Sequence, residues 1–239
     1  MWIRNIPDDY MSRDSGVSNL IFLYKEDNIY IMDNHLAAGW CWLQELQPEA
    51  SYNFFHLDRH ADLICNAPIN SYAFLKDNPH ITLDEYTDMN FRNEISIYKV
   101  FQWDNYIKQI HFLFPNWFRK CYFATHEYVH DNNPEDTRVM NVTYNPDVFD
   151  LYKNINYWLN QNDTNSWIFN LDIDYFFNDD GMQLFSDDYI IALLQDLKNS
   201  MDKIAVLTIA LSPECCGCWK NAIRIMNMIS ENLEINFNL

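Results

Sequence analysis

Three short runs of this 239-residue chain combine imidazoles and carboxylates at tight spacing. The first is Ile31-Met32-Asp33-Asn34-His35, the second His56-Leu57-Asp58-Arg59-His60-Ala61-Asp62, and the third Leu171-Asp172-Ile173-Asp174-Tyr175. Asp58, His60 and Asp62 recur at every second residue, so they share one face of an extended segment or surround a point in a turn. Asp172 and Asp174 repeat that spacing. Four carboxylates brought to one place repel one another and are costly to desolvate, and divalent cations remove that penalty. A lone Asp-x-Asp would read as a helix cap or a surface turn. The succession His, Asp-x-His-x-Asp, Asp-x-Asp, each behind its own apolar run, points instead to a metal site. Mixed Asp and His ligands without Cys suit a hard-to-borderline ion such as Mn²⁺.

Strands are expected at Leu20–Tyr24, Ile29–Met32, Tyr52–Leu57, Cys121–Ala124, Trp167–Leu171 and Ile204–Ala210. Lys25-Glu26-Asp27-Asn28 reads as a hairpin turn between the first two. Helical periodicity falls at Ala37–Leu46, Trp103–Phe114, Val148–Leu159, Asp187–Met201 (with Ser186 as N-cap) and Trp219–Leu233. Strands alternating with helices predict an α/β fold with a mostly parallel central sheet and helices on both faces. In such sheets ligands gather beyond the carboxyl ends of the strands. That position is taken by Glu214 after Ile204–Ala210 and by His126 after Cys121–Ala124.

No repeat, low-complexity tract or linker divides the chain, so residues 1–239 are expected to form one domain. Lys plus Arg total 16 against 34 Asp plus Glu, a formal charge of −18. That balance argues against nucleic acid and favours a cationic partner or a metal ion. No stretch approaches a membrane span, and Met1–Asp14 lacks a signal peptide's apolar centre, so a cytoplasmic, reducing setting is expected. Six Cys do not make a disulfide framework in a chain of this size. Cys41, Cys65 and Cys121 read as buried thiols, as do Cys215, Cys216 and Cys218, buried or half-buried. The Asn141-Val142-Thr143 and Asn162-Asp163-Thr164 matches to glycosylation acceptors carry little without a secretion signal. The oligomeric state is not legible.

The order of these motifs resembles the arginase/ureohydrolase superfamily. Asp33-Asn34-His35, His56 to Asp62, Leu171 to Phe176 and Ser212-Pro213-Glu214-Cys215-Cys216-Gly217 are similar to the peptide arginases, which convert arginine in a ribosomally made precursor peptide to ornithine and urea. The resemblance implies a three-layer arginase-like fold and two Mn²⁺ ions. Asp58 and Asp172 would bridge them, His35 and Asp62 would complete one shell, and His60 and Asp174 the other. A hydroxide between the ions would attack the guanidinium carbon. Glu214 would anchor the guanidinium through paired hydrogen bonds. His126, or alternatively His80, would carry a proton to the leaving amine. His56 and Asp33 would support the ligands from behind, whereas His111 and His130 read as structural. Met32-Asp33-Asn34-His35 stands where ordinary arginases have Gly-Gly-Asp-His, and no recognition loop for a free amino acid follows Asp62. Both departures favour an arginine carried on a peptide over free arginine. Trp40, Trp42, Tyr72, Phe74 and Trp103 are candidates for the mouth of such a site, with core packing as their default. Another ureohydrolase, a deacylase of the same superfold, and a non-catalytic module binding basic peptides are the alternatives.

Overall fold

The apolar runs of the sequence become the strands of one sheet. The structure is a computed structural model, and it describes residues 1–64, 67–126, 140, 143–161 and 164–239. Its strands are β1 (Trp2–Arg4), β2 (Leu23–Glu26), β3 (Ile29–Met32), β4 (Asn53–Leu57), β5 (Asn90–Arg92), β6 (Ile97–Lys99), β7 (Cys121–Ala124), β8 (Trp167–Asp172) and β9 (Ile204–Ala210). Seven of them form a sheet in the order β1-β2-β3-β9-β8-β4-β7, and β5-β6 form a separate antiparallel ribbon. The β1-β2 and β2-β3 pairs are antiparallel, and every pair from β3 to β7 is parallel.

Register explains why the sheet can build a site. Met32 pairs with Ala210, Ala210 with Asp172, Leu171 with Leu57, and Leu57 with Ala124. The carboxyl ends of five parallel strands are therefore level. Asp172 at the end of β8 and the residues that follow the strands, Asp33–His35, Ser212, Ile173–Asp174, Asp58–Asp62 and His126, stand along one edge of the sheet.

Alternation along the strands sends side chains to two cores, as expected of strands covered on both faces. Ile31, Phe55, Leu57, Phe169, Leu171, Leu207 and Ile209 join the core beneath helices Val148–Leu151, Ile155–Leu159, Asp187–Lys198 and Trp219–Leu233. Tyr30, Met32, Phe54, Ile168, Val206 and Phe123 join the core beneath helices Ala38–Glu45, Leu83–Asp88 and Tyr106–Leu113. The fold is thus α/β, with a mostly parallel sheet between two helical layers. No described helix is long and apolar enough to cross a membrane.

Several boundaries differ from the periodicity reading for local reasons. The expected turn at residues 25–28 shrinks to Asp27-Asn28, because Lys25 and Glu26 pair with Tyr30 and Ile29, and Asp27 takes the left-handed backbone (φ 51). The expected helix Val148–Leu159 breaks in two around Lys153, which is also left-handed (φ 62). The helix expected from Trp103 begins at Tyr106, because Asn105 turns back on the preceding loop: its Oδ1 accepts from Gln102 N at 2.9 Å and its Nδ2 donates to Val100 O at 3.1 Å. Ser186 does cap its helix, accepting from Tyr189 N at 3.2 Å, but that helix ends at Lys198 and a short 3-10 turn follows.

Candidate metal centre

Each ligand-type side chain is aimed by a hydrogen bond within its own loop. After β3, Asn34 accepts from Leu36 N at 2.9 Å and so starts the tight turn His35–Ala37, which tips His35 over the sheet edge. Asp33 is fully buried and braces that loop. Its Oδ1 accepts from Ile21 N and Phe22 N (2.8 and 3.0 Å), and its Oδ2 from the Ser15 hydroxyl (2.7 Å). After β4, Asp58 Oδ1 accepts from His60 N at 2.7 Å, and Asp62 adopts φ 52. After β8, Asp172 Oδ1 accepts from Asp174 N at 2.8 Å. The Ser212 hydroxyl beyond β9 donates to Asp172 Oδ2 at 2.5 Å. These Asx-type turns satisfy the loop amides and leave the remaining carboxylate oxygens facing inward.

The six side chains expected as ligands come together. His35 Nδ1 lies 3.0 Å from Asp62 Oδ2 and 3.5 Å from Asp58 Oδ2, and His35 Nε2 lies against Asp172 Oδ2. His60 Nδ1 lies 3.1 Å from Asp174 Oδ2 and 3.6 Å from Asp58 Oδ1. Three groups have ligand atoms within 4.8 Å of one another: His35, Asp58 and Asp172; His56, Asp58 and Asp62; and Asp58, His60 and Asp174. Asp58 belongs to all three.

The electrostatics of this cluster call for a cation. Burial, then the charges of Asp174, Asp62 and Asp172, push the Asp58 carboxyl well above the usual carboxylate range. Asp172 is raised as well, by burial and by Asp174. Burial opposes charge on His60, but hydrogen bonds to Asp174 and Asp58 outweigh it and push the imidazole up to about 11. Burial likewise opposes charge on His35, and Asp172 leads the carboxylates that raise it well above the ordinary imidazole value. His35 Nε2 is buried and makes no hydrogen bond among the described residues, although the Asp172 carboxylate lies beside it. An imidazole nitrogen facing carboxylates without a hydrogen bond fits a shared divalent ion, and the all-N,O donor set fits a hard-to-borderline one.

The cluster floors a cavity of about 220 Å³. Its walls are Ala61, Leu63, Ile64, Trp103, Asp104, Ser212 and Cys215. Of the aromatics considered for the mouth, only Trp103 lines it; Trp40, Trp42 and Tyr72 are buried, and Phe74 is 48 % exposed away from it.

The remaining candidates fall at different distances from the chemistry. His56 is fully buried, with Nδ1 accepting from Asn170 Nδ2 at 3.0 Å and Nε2 donating to His60 O at 3.0 Å, and burial lowers its pKa to about 4. It is a neutral prop for the loop that carries His60. Half-buried His126 stands against Tyr175, donating from Nε2 to Tyr175 O at 2.6 Å, and burial lowers its pKa. It does not line the cavity. His80 is exposed and lies outside it too. Glu214 is also absent from the lining, and its Oε1 accepts from the Ser15 amide, whereas Ser212 and Cys215 of the same strand-end loop line the cavity. Cys41, Cys121 and Cys216 are buried and Cys215 is half-buried, but Cys218 is exposed. His111 stands in helix Tyr106–Leu113 with its ring 5.3 Å from Phe118. Cys65, His130 and the central residues of both glycosylation matches lie outside the described residues.

Sequence reasoning missed the residues that hold the ligands. Tyr106 Oη lies 2.5 Å from His35 Nδ1 and accepts from Asn170 Nδ2 at 3.0 Å. Asn170 Oδ1 in turn accepts from Thr208 Oγ1 at 2.7 Å. The available signal was an amide in the middle of an apolar strand, since a buried amide must find partners.

The chain matches no protein-family model and no curated protein sequence. The solved structures to which it is similar include three arginases. The one from Entamoeba histolytica in complex with L-ornithine aligns at 13% identity with a TM-score of 0.47, covering 84% of this chain and 68% of that one. The arginase from Bacillus cereus aligns at 11% identity and TM-score 0.48, covering 88% and 71%. The arginase from Bacillus subtilis aligns at 8% identity and TM-score 0.44, covering 88% and 72%.

Proposed function

We infer that the protein is a metal-dependent hydrolase of guanidino C–N bonds, and that it converts arginine within a peptide to ornithine with release of urea. The observation that carries this reading is the position of Asp58, one carboxylate common to the group with His35 and Asp172 and to the group with His60 and Asp174. A carboxylate shared in that way suits a pair of ions. His35 and Asp62 would complete the shell of one, His60 and Asp174 that of the other, with Asp58 and Asp172 common to both. Mn²⁺ matches the donor set. When bound, such ions supply Lewis acidity and lower the pKa of water.

The chain's own residues would do the rest. Glu214, whose Oε1 accepts from the Ser15 amide, would offer Oε2 to the guanidinium. Hydrolysis breaks the bond between the guanidinium carbon and the side-chain nitrogen, forms a C–O bond, and requires a proton on the leaving amine. His126, beyond the end of β7, is the candidate for that step. Its Nε2–H is spent on Tyr175 O, so its Nδ1 is available to take up and pass on that proton. Two observations support a peptide-borne arginine. The cavity, about 220 Å³, is smaller than the ~300–1,000 Å³ of ordinary small-molecule pockets and suits one side chain. Among the described residues, no Lys or Arg lines it to meet the α-carboxylate of a free amino acid.

The test is mass spectrometry of an arginine-containing peptide incubated with protein and Mn²⁺. The expected result is a mass loss equal to cyanamide at arginine, with urea released in equal amount. Fully loaded protein that binds the peptide and releases no urea would overturn the hydrolase and leave a basic-peptide binding module.

A further inference from the structure

One wall of the cavity is not explained by metal binding. Trp103 and Asp104 sit on the turn before helix Tyr106–Leu113 and line the cavity together with Leu63 and Ile64. The turn is fixed from three sides. Trp103 N donates to Val17 O at 3.2 Å, Ile64 N donates to Asp104 O at 3.0 Å, and Asn105 Nδ2 holds Val100 O at 3.1 Å. The hydrogen bond to Ile64 ties this turn to the loop that carries Asp62. Tyr106, at the first helical position after it, reaches His35 at 2.5 Å. The turn's placement relative to the metal ligands is therefore set by the fold.

Among the described residues Trp103 is the tryptophan that lines the cavity; Trp40, which likewise has no ring partner, is buried away from it. Trp42 packs on Phe54, Tyr106 and Phe118, and Trp117 stacks on Phe114 at 4.3 Å. Trp103 is half-buried at the cavity and has no ring partner among the described residues. An indole face at a small cavity is a surface on which a planar cation can stack, and a neighbouring carboxylate adds to the attraction. Leu63 and Ile64 supply the apolar surface that a methylene stem needs.

Resting on the function inferred above, we propose that Trp103, with Asp104, determines specificity: the indole stacks on the substrate guanidinium, and the Asp104 carboxylate makes the wall select a planar cation over a neutral isostere. This discrimination is separate from metal binding and from turnover. It distinguishes arginine from citrulline, which has the same shape and no charge.

The experiment uses the full chain loaded with Mn²⁺ and two fluorescently labelled peptides, identical except for arginine or citrulline at one position. Stopped-flow anisotropy reads binding before turnover, and urea release is followed in parallel. Wild-type protein is expected to bind the arginine peptide at least tenfold more tightly. Trp103→Ala should raise Kd and KM for that peptide about tenfold, leave kcat within a few-fold, and barely change citrulline binding. Trp103→Phe should recover most of the affinity, because a phenyl face still stacks. Asp104→Asn should narrow the preference for the cation. Metal content and circular dichroism of each variant guard against misfolding, and Asp104→Asn still decides the matter should Trp103→Ala fail to fold. Equal loss of both peptides in Trp103→Ala, or unchanged discrimination in all variants, would overturn the proposal. Discrimination that depends on Trp103 without any urea release would sustain it and defeat the hydrolase reading instead.

Discussion

The carboxylate of Asp62 reaches to 3.0 Å from Nδ1 of His35, although β9 and β8 lie between the strands that precede these two residues. The contact depends on a left-handed backbone at Asp62 (φ 52), a conformation that costs most residues about 1–2 kcal/mol and that Asp and Asn tolerate best. Strain of this kind persists where the surroundings over-determine it, and at ligand sites it aims a side chain.

Two substitutions separate backbone from charge at that position. Asp62→Asn should keep the turn and leave the melting temperature of the chelated protein nearly unchanged, while lowering metal content. Asp62→Ala should lose metal to the same extent and also destabilise the chelated protein by about 1 kcal/mol. Elemental analysis and denaturant unfolding read the two effects. Full metal content in both variants would remove Asp62 from the ligand set.

Removing the metal should weaken the whole fold, because the buried carboxylates around Asp58 then face one another. An ion bound at a hundredfold excess over its Kd contributes about 2.7 kcal/mol. For a domain of this size that corresponds to roughly 5–10 °C in Tm. Calorimetric scans with and without a chelator, repeated after Mn²⁺ is restored, measure the shift. A melting temperature indifferent to chelation would mean that no ion occupies the cluster.

The ligand constellation was legible because each part of it is local. His35, Asp58–Asp62 and Asp172–Asp174 each follow an apolar run that becomes a parallel strand, and level strand ends do the gathering. Contacts between distant segments were not legible. Ser15 lies 199 residues from Glu214, and no periodicity announces that its amide will take that carboxylate. Trp103 and Asp104 read as the start of a helix, because the amphipathic pattern runs through them; Asn105, whose side chain bonds to the backbone on both sides of Phe101, holds them in a turn. Thr82 and Glu85 form a full capping box for helix Leu83–Asp88, a signal present in the sequence but without the long apolar face that draws attention to a helix.

Tyr106 should matter to the metal without touching it. Its hydroxyl meets His35 Nδ1 and accepts from Asn170, and outer partners of this type are worth about 10–100-fold in metal affinity. Tyr106→Phe keeps the ring that packs on Trp42, so the helix should remain in place. The expected outcome is a drop of about tenfold or more in Mn²⁺ affinity, measured by competition with a chromogenic chelator, with an unchanged far-ultraviolet spectrum. Wild-type affinity in Tyr106→Phe would show that packing alone orients His35.

Two of the four glycines, Gly181 and Gly217, meet each other where the loop after Asp174 crosses the loop carrying Ser212 and Cys215. Both have positive φ (68 and 83). A Cβ on Gly217 would lie 2.9 Å from Gly181 Cα, and one on Gly181 would lie 2.4 Å from Gly217 Cα. Backbone stands on both sides of the clash, so no flexible side chain can move away. Gly217→Ala therefore combines a left-handed penalty of about 1–2 kcal/mol with an overpacking cost of about 1–3 kcal/mol. Denaturant unfolding should show a loss of roughly 2–5 kcal/mol. The displaced loop carries the Ser212 hydroxyl that donates to Asp172 Oδ2, so metal affinity should fall together with stability. If Gly217→Ala unfolds like wild type and holds its metal equally well, the two loops do not depend on this contact, and Ser212 must be positioned from β9 alone.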